Sequence, residues 1–199
     1  MEDPIEALWR WFYQNNTRIT TCISGNSSAE EQEYIVETLN NLTVQLGEFA
    51  WDISKGVIKP WAFTLSPNGN ELLLEQSKLI IEEAPQLAEW EFNYCKPALA
   101  WDFLFHIFDS ELQKKTVNAS NWHFTFSLDD DQRWELFLEA DNIPFLDDAT
   151  AQEAAEEVVL NSIGEEAMIL DVSSIKITNK FKEDSPKHPI QSLKKLFFE

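Results

Sequence analysis

The stretch from Trp122 to Glu139 limits the fold more than any other part of the chain. Trp122, Phe124, Phe126 and Leu128 alternate with His123, Thr125 and Ser127; Asp129-Asp130-Asp131 interrupts; Trp134, Leu136 and Leu138 then alternate with Arg133, Glu135 and Glu139. Successive side chains on a strand point to opposite faces, so the pattern predicts an antiparallel hairpin with one apolar and one polar face. Seven large apolar side chains on one face need a cover, and helices laid on a sheet supply it.

Helix patterns precede and follow that hairpin. Ile5, Leu8, Trp9 and Phe12 recur at helical spacing after Pro4, with Trp11 off that face. Ser28 and Glu31 form a capping box before the stripe Ile35, Leu39, Leu42 and Leu46, and Gly47 suits the C′ position. Phe49, Trp51 and Ile53, then Trp61, Phe63 and Leu65, alternate as two strands, the start of the second expected at an edge or bulge because of Pro60. Leu72, Leu73, Leu79 and Ile80 predict a helix over 70–84, and Trp90, Phe92 and Tyr94 a strand. Residues 101–108, apolar on both faces, predict a central strand, and 114–121 a polar loop.

Thr150 and Glu153 suggest a second capping box, opening a helix with a narrow stripe of Ala151, Ala154, Ala155 and Val158 that ends at Gly164; Asp147 or Asp148 also suits its N-cap. A last strand over 168–178 changes phase between Val172 and Ile175, which predicts a bulge near Ser173-Ser174. Ile190, Leu193, Leu196 and Phe197 predict a short amphipathic helix in the tail.

We therefore expect one α+β domain over 1–199, with antiparallel-rich sheet covered by helices. N-terminal helices occupy 1–47, a strand-strand-helix-strand (ββαβ) unit 48–95, a second such unit 101–178, and a basic tail 179–199. Phe63-Thr64-Leu65-Ser66 and Phe124-Thr125-Phe126-Ser127 are alike. A chain of 199 residues buries about 70% of its surface, enough for a core without disulfide or metal staples. Two cysteines, Cys22 and Cys95, fit a reducing, cytoplasmic setting, and the first residues lack a secretion signal.

Charge narrows the partners. Thirty-five acidic and fifteen basic residues leave a net charge of -20, which opposes nucleic-acid and anionic-membrane binding. Residues 129–171 hold fourteen acids and the single base Arg133, whereas 176–199 hold six lysines and three acids. The acidic stretch reads either as a solvated face that keeps the protein soluble or as a docking face for a basic protein partner or for self-association, with the tail docked partly on acidic parts of its own domain. Glu153, Glu156 and Glu157, away from the alanine stripe, are candidates for that face, together with Trp11, Trp101 and His123.

Catalytic motifs are sparse. No phosphate loop, nucleophile elbow or zinc spacing occurs, so no catalytic residue, cofactor or metal ligand is assigned. Asp102 and His106 would lie about 13 Å apart on one strand, too far to act as a pair, and His106 is expected to be buried. Trp51, Trp61, Trp90, Trp122 and Trp134 fall in phase with apolar strand positions and read as core. The resulting expectation is a non-catalytic binding domain. The alternatives are a carboxylate hydrolase using a divalent metal and an inhibitor or immunity-type protein neutralising a basic partner. Trp9-x-Trp11-Phe12, Glu82-Glu83-Ala84-Pro85 before Trp90, and Ile163-Gly164-Glu165 resemble a family of uncharacterised bacterial proteins over most of the chain. That resemblance implies the same order of helices and strands and a bacterial cytosolic protein; it supplies no activity and no catalytic residues.

Overall fold

The computed structural model describes residues 3–182 and 186–198. The chain forms two compact units, residues 1–96 and 97–199, where the sequence patterns lead to an expectation of one domain. Each unit combines helices with largely antiparallel strands, the expected α+β class.

In the first unit, α1 (Pro4–Ile23) and α2 (Ala29–Val44) precede β1 (Ala50–Lys55), β2 (Trp61–Ser66), α3 (Glu71–Glu82) and β3 (Trp90–Asn93). The Asp3 carboxylate caps α1 by accepting from the Ile5 N–H at 2.9 Å. Ser28 caps α2 through the Glu31 N–H, but the Glu31 carboxylate turns to Arg18, 2.7 Å away. Gly47 lies two residues past the Gln45 cap, one further than expected, with φ at +147°. The sheet order is β1-β2-β3, antiparallel then parallel. Strand β2 is thus central: Pro60 sits just before it, where a missing N–H costs the ladder nothing. Trp9, Phe12, Phe63, Trp90 and Phe92 meet edge to face in the core. Helix α3 buries Leu74, Ser77 and Ile80 and exposes Leu72 and Leu79. The i+7 repeat is real, but one of its two leucine rows faces water.

The second unit opens with the hairpin β4 (Leu104–Phe108) and β5 (Lys114–Asn118). This corrects two expectations: 104–108 belongs to a two-stranded hairpin instead of a central strand, and 114–118 is its partner strand instead of loop. Then follow β6 (His123–Leu128), β7 (Trp134–Glu139), α4 (Asp148–Ile163), α5 (Glu165–Asp171), β8 (Val172–Thr178), β9 (His188–Pro189) and, after a 3₁₀ turn over Ile190–Ser192, α6 (Leu193–Phe198). The sheet order is β8-β7-β6-β9. Phe124 faces Leu138 and Phe126 faces Leu136 across the predicted hairpin. Because α5 runs to Asp171, residues 168–171 are helical instead of extended. The predicted bulge is present, since β8 runs from Val172 opposite Trp134 to Ser174 opposite Glu135, leaving Ser173 extra. Ala154, Ala155, Val158, Val159 and Ile163 of α4 are buried, a broader face than the alanine stripe alone.

Both units contain the ββαβ order, in separate sheets, each with a hairpin followed by a helical crossover to a parallel third strand. The two similar tetrapeptides do not correspond: Phe63–Ser66 lies in the second strand of its unit, Phe124–Ser127 in the first.

Candidate interaction surface

The second-unit sheet turns a polar face outward. Its rows read His123, Glu139, Thr178; then Thr125, Phe137, Lys176; then Ser127, Glu135, Ser174. Glu135 accepts from the Ser127 hydroxyl at 3.0 Å and pairs with Lys176 at 3.4 Å. The Glu139 side chain, only 11% exposed, accepts from Lys187 Nζ at 2.8 Å and from the Phe181 N–H at 2.7 Å. Lys187 first, and then the Phe181 N–H, hold the Glu139 carboxyl below its ordinary pKa, against the opposing effect of burial. His123 Nδ1 is 3.8 Å from Glu139, so this candidate residue is placed beside a carboxylate that Lys187 already pairs.

The tail does dock on its own unit, but charge is the lesser part. His188 pairs with Phe124 as β9 and stacks on Phe126, the Ile190 N–H donates to the Trp122 carbonyl at 3.0 Å, and Ile190 and Leu193 are fully buried. Residues 183–185 and 199 of the tail lie outside the described residues.

Glu153 and Glu156 on α4 are exposed and Glu157 is half-buried. Glu156 accepts from Gln152 and Glu157 from Asn161; among the described residues none of the three meets a lysine or arginine. Arg133, the one base in that acidic stretch, donates to the carbonyls of Ile169 and Val172 at 2.8 and 2.6 Å. The other two candidates are partly core. Trp101 packs on Phe103, with ring centroids 4.8 Å apart, and joins the second unit's core. Trp11 packs on the first unit's core. His106 is exposed, not buried, with Nδ1 3.0 Å from the Thr116 hydroxyl.

Three carboxylate devices had escaped the sequence patterns. Asp109 and Asp129 each close a hairpin tip. Each side chain accepts from the N–H groups two and four residues on, and Leu112 and Gln132 take the left-handed position with φ near +61° and +62°. The repeated signal is an Asp at the first position of Asp109–Gln113 and of Asp129–Arg133. Glu91 accepts from three consecutive N–H groups, Val57 at 2.7 Å, Ile58 at 2.9 Å and Lys59 at 3.1 Å. These bonds fix a loop whose tip, Val57 and Ile58, is exposed. The capping carboxylate of α4 is Asp147, not a Thr150–Glu153 box. It accepts from the Thr150 N–H and hydroxyl at 3.0 and 2.9 Å, which lowers its pKa to about 2.

Two surface grooves, of about 470 and 650 Å³, carry one carboxylate each, Glu48 and Asp148. Among the described residues no three of His, Cys, Asp and Glu converge as metal ligands, and no helix is long and apolar enough to cross a membrane. No known protein family, curated protein or solved structure matches the chain.

Proposed function

We propose that the protein is a cytoplasmic, non-catalytic binding module whose acidic surface takes a basic protein partner. The observation that carries this reading is the acid surplus left after the fold has satisfied its own pairs. Arg133 is committed to backbone carbonyls, and Lys176 and Lys187 serve Glu135 and Glu139. Asp130, Asp131, Glu153, Glu156 and Glu157 have no cationic partner among the described residues, so solvent or a partner must balance them. Seven carboxylates, Glu31, Glu91, Asp109, Asp129, Glu135, Glu139 and Asp147, have their pKa lowered from the ordinary value. A general acid needs the opposite shift, so these groups favour binding over hydrolysis. The free cysteines Cys22 and Cys95 support the cytoplasmic setting.

Titration with a lysine homopolymer tests the reading. Binding is expected at low salt and should weaken as the Debye length falls from about 10 Å at 0.1 M to about 3 Å at 1 M. Replacing Glu153, Glu156 and Glu157 together by Gln should lower the affinity. Equal binding by this variant and the parent would overturn the assignment of that face. Hydrolytic turnover by the purified protein would overturn the non-catalytic reading.

A further inference from the structure

Among the described residues, the edge of β6 is only half covered. In an antiparallel pair, alternate residues turn both backbone groups toward the partner. The Asp129 N–H donates to the Arg133 carbonyl at 2.9 Å, which puts Ser127, Thr125 and His123 in the bonded set facing β7. Phe124, Phe126 and Leu128 therefore turn their N–H and C=O groups to the opposite edge. There Phe124 pairs with His188, and the neighbouring Trp122 carbonyl accepts from Ile190. Continued two residues on, the register sets Pro186 opposite Phe126. Proline has no N–H to offer, and the pairing stops at His188. Among the described residues, nothing pairs with the Phe126 and Leu128 backbone.

The side chains there are poised in the same way. Phe126 and Leu128, 37% and 46% exposed, lie on the apolar face beside Trp134, whose ring meets Phe126 at 5.2 Å. Natural edges are usually blunted by lysine or proline. The second unit's other hairpin has Lys114 and Lys115, and β8 has Lys176, but Thr125–Leu128 has neither residue type. The hairpin tip next to this edge is Asp129-Asp130-Asp131, and Glu135 lies across from Ser127.

We propose that Phe126–Leu128 takes an extended peptide from a basic partner as an added strand, continuing the line that β9 begins. The peptide alternates aliphatic residues, set on Phe126 and Leu128, with lysine or arginine, set toward Asp130 and Asp131 of the aspartate tip, which have no cationic partner among the described residues. A second copy of this chain is the poorer occupant, since its net charge of -20 would bring like charge to like. The inference rests on the binding function proposed above and adds this edge to the α4 face as a second contact.

Two peptides of equal charge test it, Lys-Val-Lys-Val-Lys-Val and Lys-Pro-Lys-Pro-Lys-Pro, the second lacking the N–H donors of the residues set on Phe126 and Leu128. Saturation with the first should slow amide exchange at Phe126 and Leu128 by about tenfold or more, and the second should not. Leu128→Pro deletes an edge-facing donor without touching the β7 ladder, and Leu128→Lys keeps the donor but adds positive charge. Each should weaken the valine peptide about tenfold relative to the proline peptide. Binding of the valine peptide with protection elsewhere would overturn the edge and leave the binding function standing. Failure of both peptides to bind at low salt would overturn both. Concentration-dependent protection of the two amides without peptide would assign the edge to a second copy and overturn the peptide.

Discussion

The central strands of the two ββαβ units differ although their topology is the same. Strand β2 is buried along its length after Trp61, on both faces. Strand β7 buries Leu136 and Leu138 on one face and turns Glu135, Phe137 and Glu139 outward. The off-face residues of β2 are Ala62, Thr64 and Ser66, small enough to be enclosed, and the Thr64 hydroxyl accepts from Asn93 at 3.3 Å. Glutamates at the equivalent places could not be enclosed without stranded charge. Topology fixes which strands are neighbours; the off-face residues decide how many faces are covered.

The contrast is sharpest if a charge is placed on each off-face row. Thr64→Glu should destabilise by about 3–5 kcal/mol, the cost of an unpaired buried charge. Thr125→Glu, on the open face, should stay within about 0.5 kcal/mol. Similar losses in urea unfolding would break the distinction between the faces.

The tail separates packing from charge. Ile190→Ala should cost about 2–5 kcal/mol as a fully buried aliphatic. Lys187→Ala should cost no more than about 1 kcal/mol, because its ammonium is a partly exposed partner. Exchange protection at Ile190 and Leu193 should persist in 1 M salt, about the level that shrinks the Debye length to 3 Å. Loss of that protection with salt would restore charge as the main force.

Gly56 sharpens the first unit. A Cβ there would collide with the Lys59 carbonyl and come within 2.9 Å of the Glu91 carboxyl carbon. Gly56→Ala should cost about 1–3 kcal/mol, measurable by thermal unfolding, whereas an undiminished melting temperature would mean that the Glu91-bound loop yields easily.

The smallest effect is acid sensitivity. The Asp147 pKa, lowered to about 2, gives stabilisation that is complete above the unfolded-state value near 4 and is lost as pH falls toward 2. Asp147→Asn keeps a good cap and removes the titration, so its acid unfolding curve should be shallower between about pH 4 and 2. An unchanged curve would assign the acid response to the other lowered carboxylates.

Much of the fold was legible because it depends on period. The hairpin 122–139, the bulge near Ser173 and the tail's apolar face all follow from which residues must point inward. The 165–171 helix was missed because Met168, Ile169 and Leu170 form a short apolar run that suits strand and helix equally. Strand β5 was missed because Lys114-Lys115-Thr116-Val117-Asn118 carries mostly polar side chains, and its partner across the hairpin supplies what its own sequence lacks. The candidate surface was legible in its charge, through Glu153, Glu156 and Glu157. It was not legible in its edge, because which β6 residues have no partner among the described residues depends on where the chain's far end stops pairing. That point is set here by Pro186, 60 residues beyond Phe126.

The twin aspartate tips also bear on time. Each ties its own N–H groups within five residues, so the β4–β5 and β6–β7 pairs close short loops, whereas β7 meets β8 only after nearly 40 residues of intervening chain. Short closures cost little entropy and form early; distant ones wait. Folding of the second unit should therefore begin at the two aspartates and end with the crossover, so substitutions at Asp129 should slow folding while those at Ile177 should hasten unfolding.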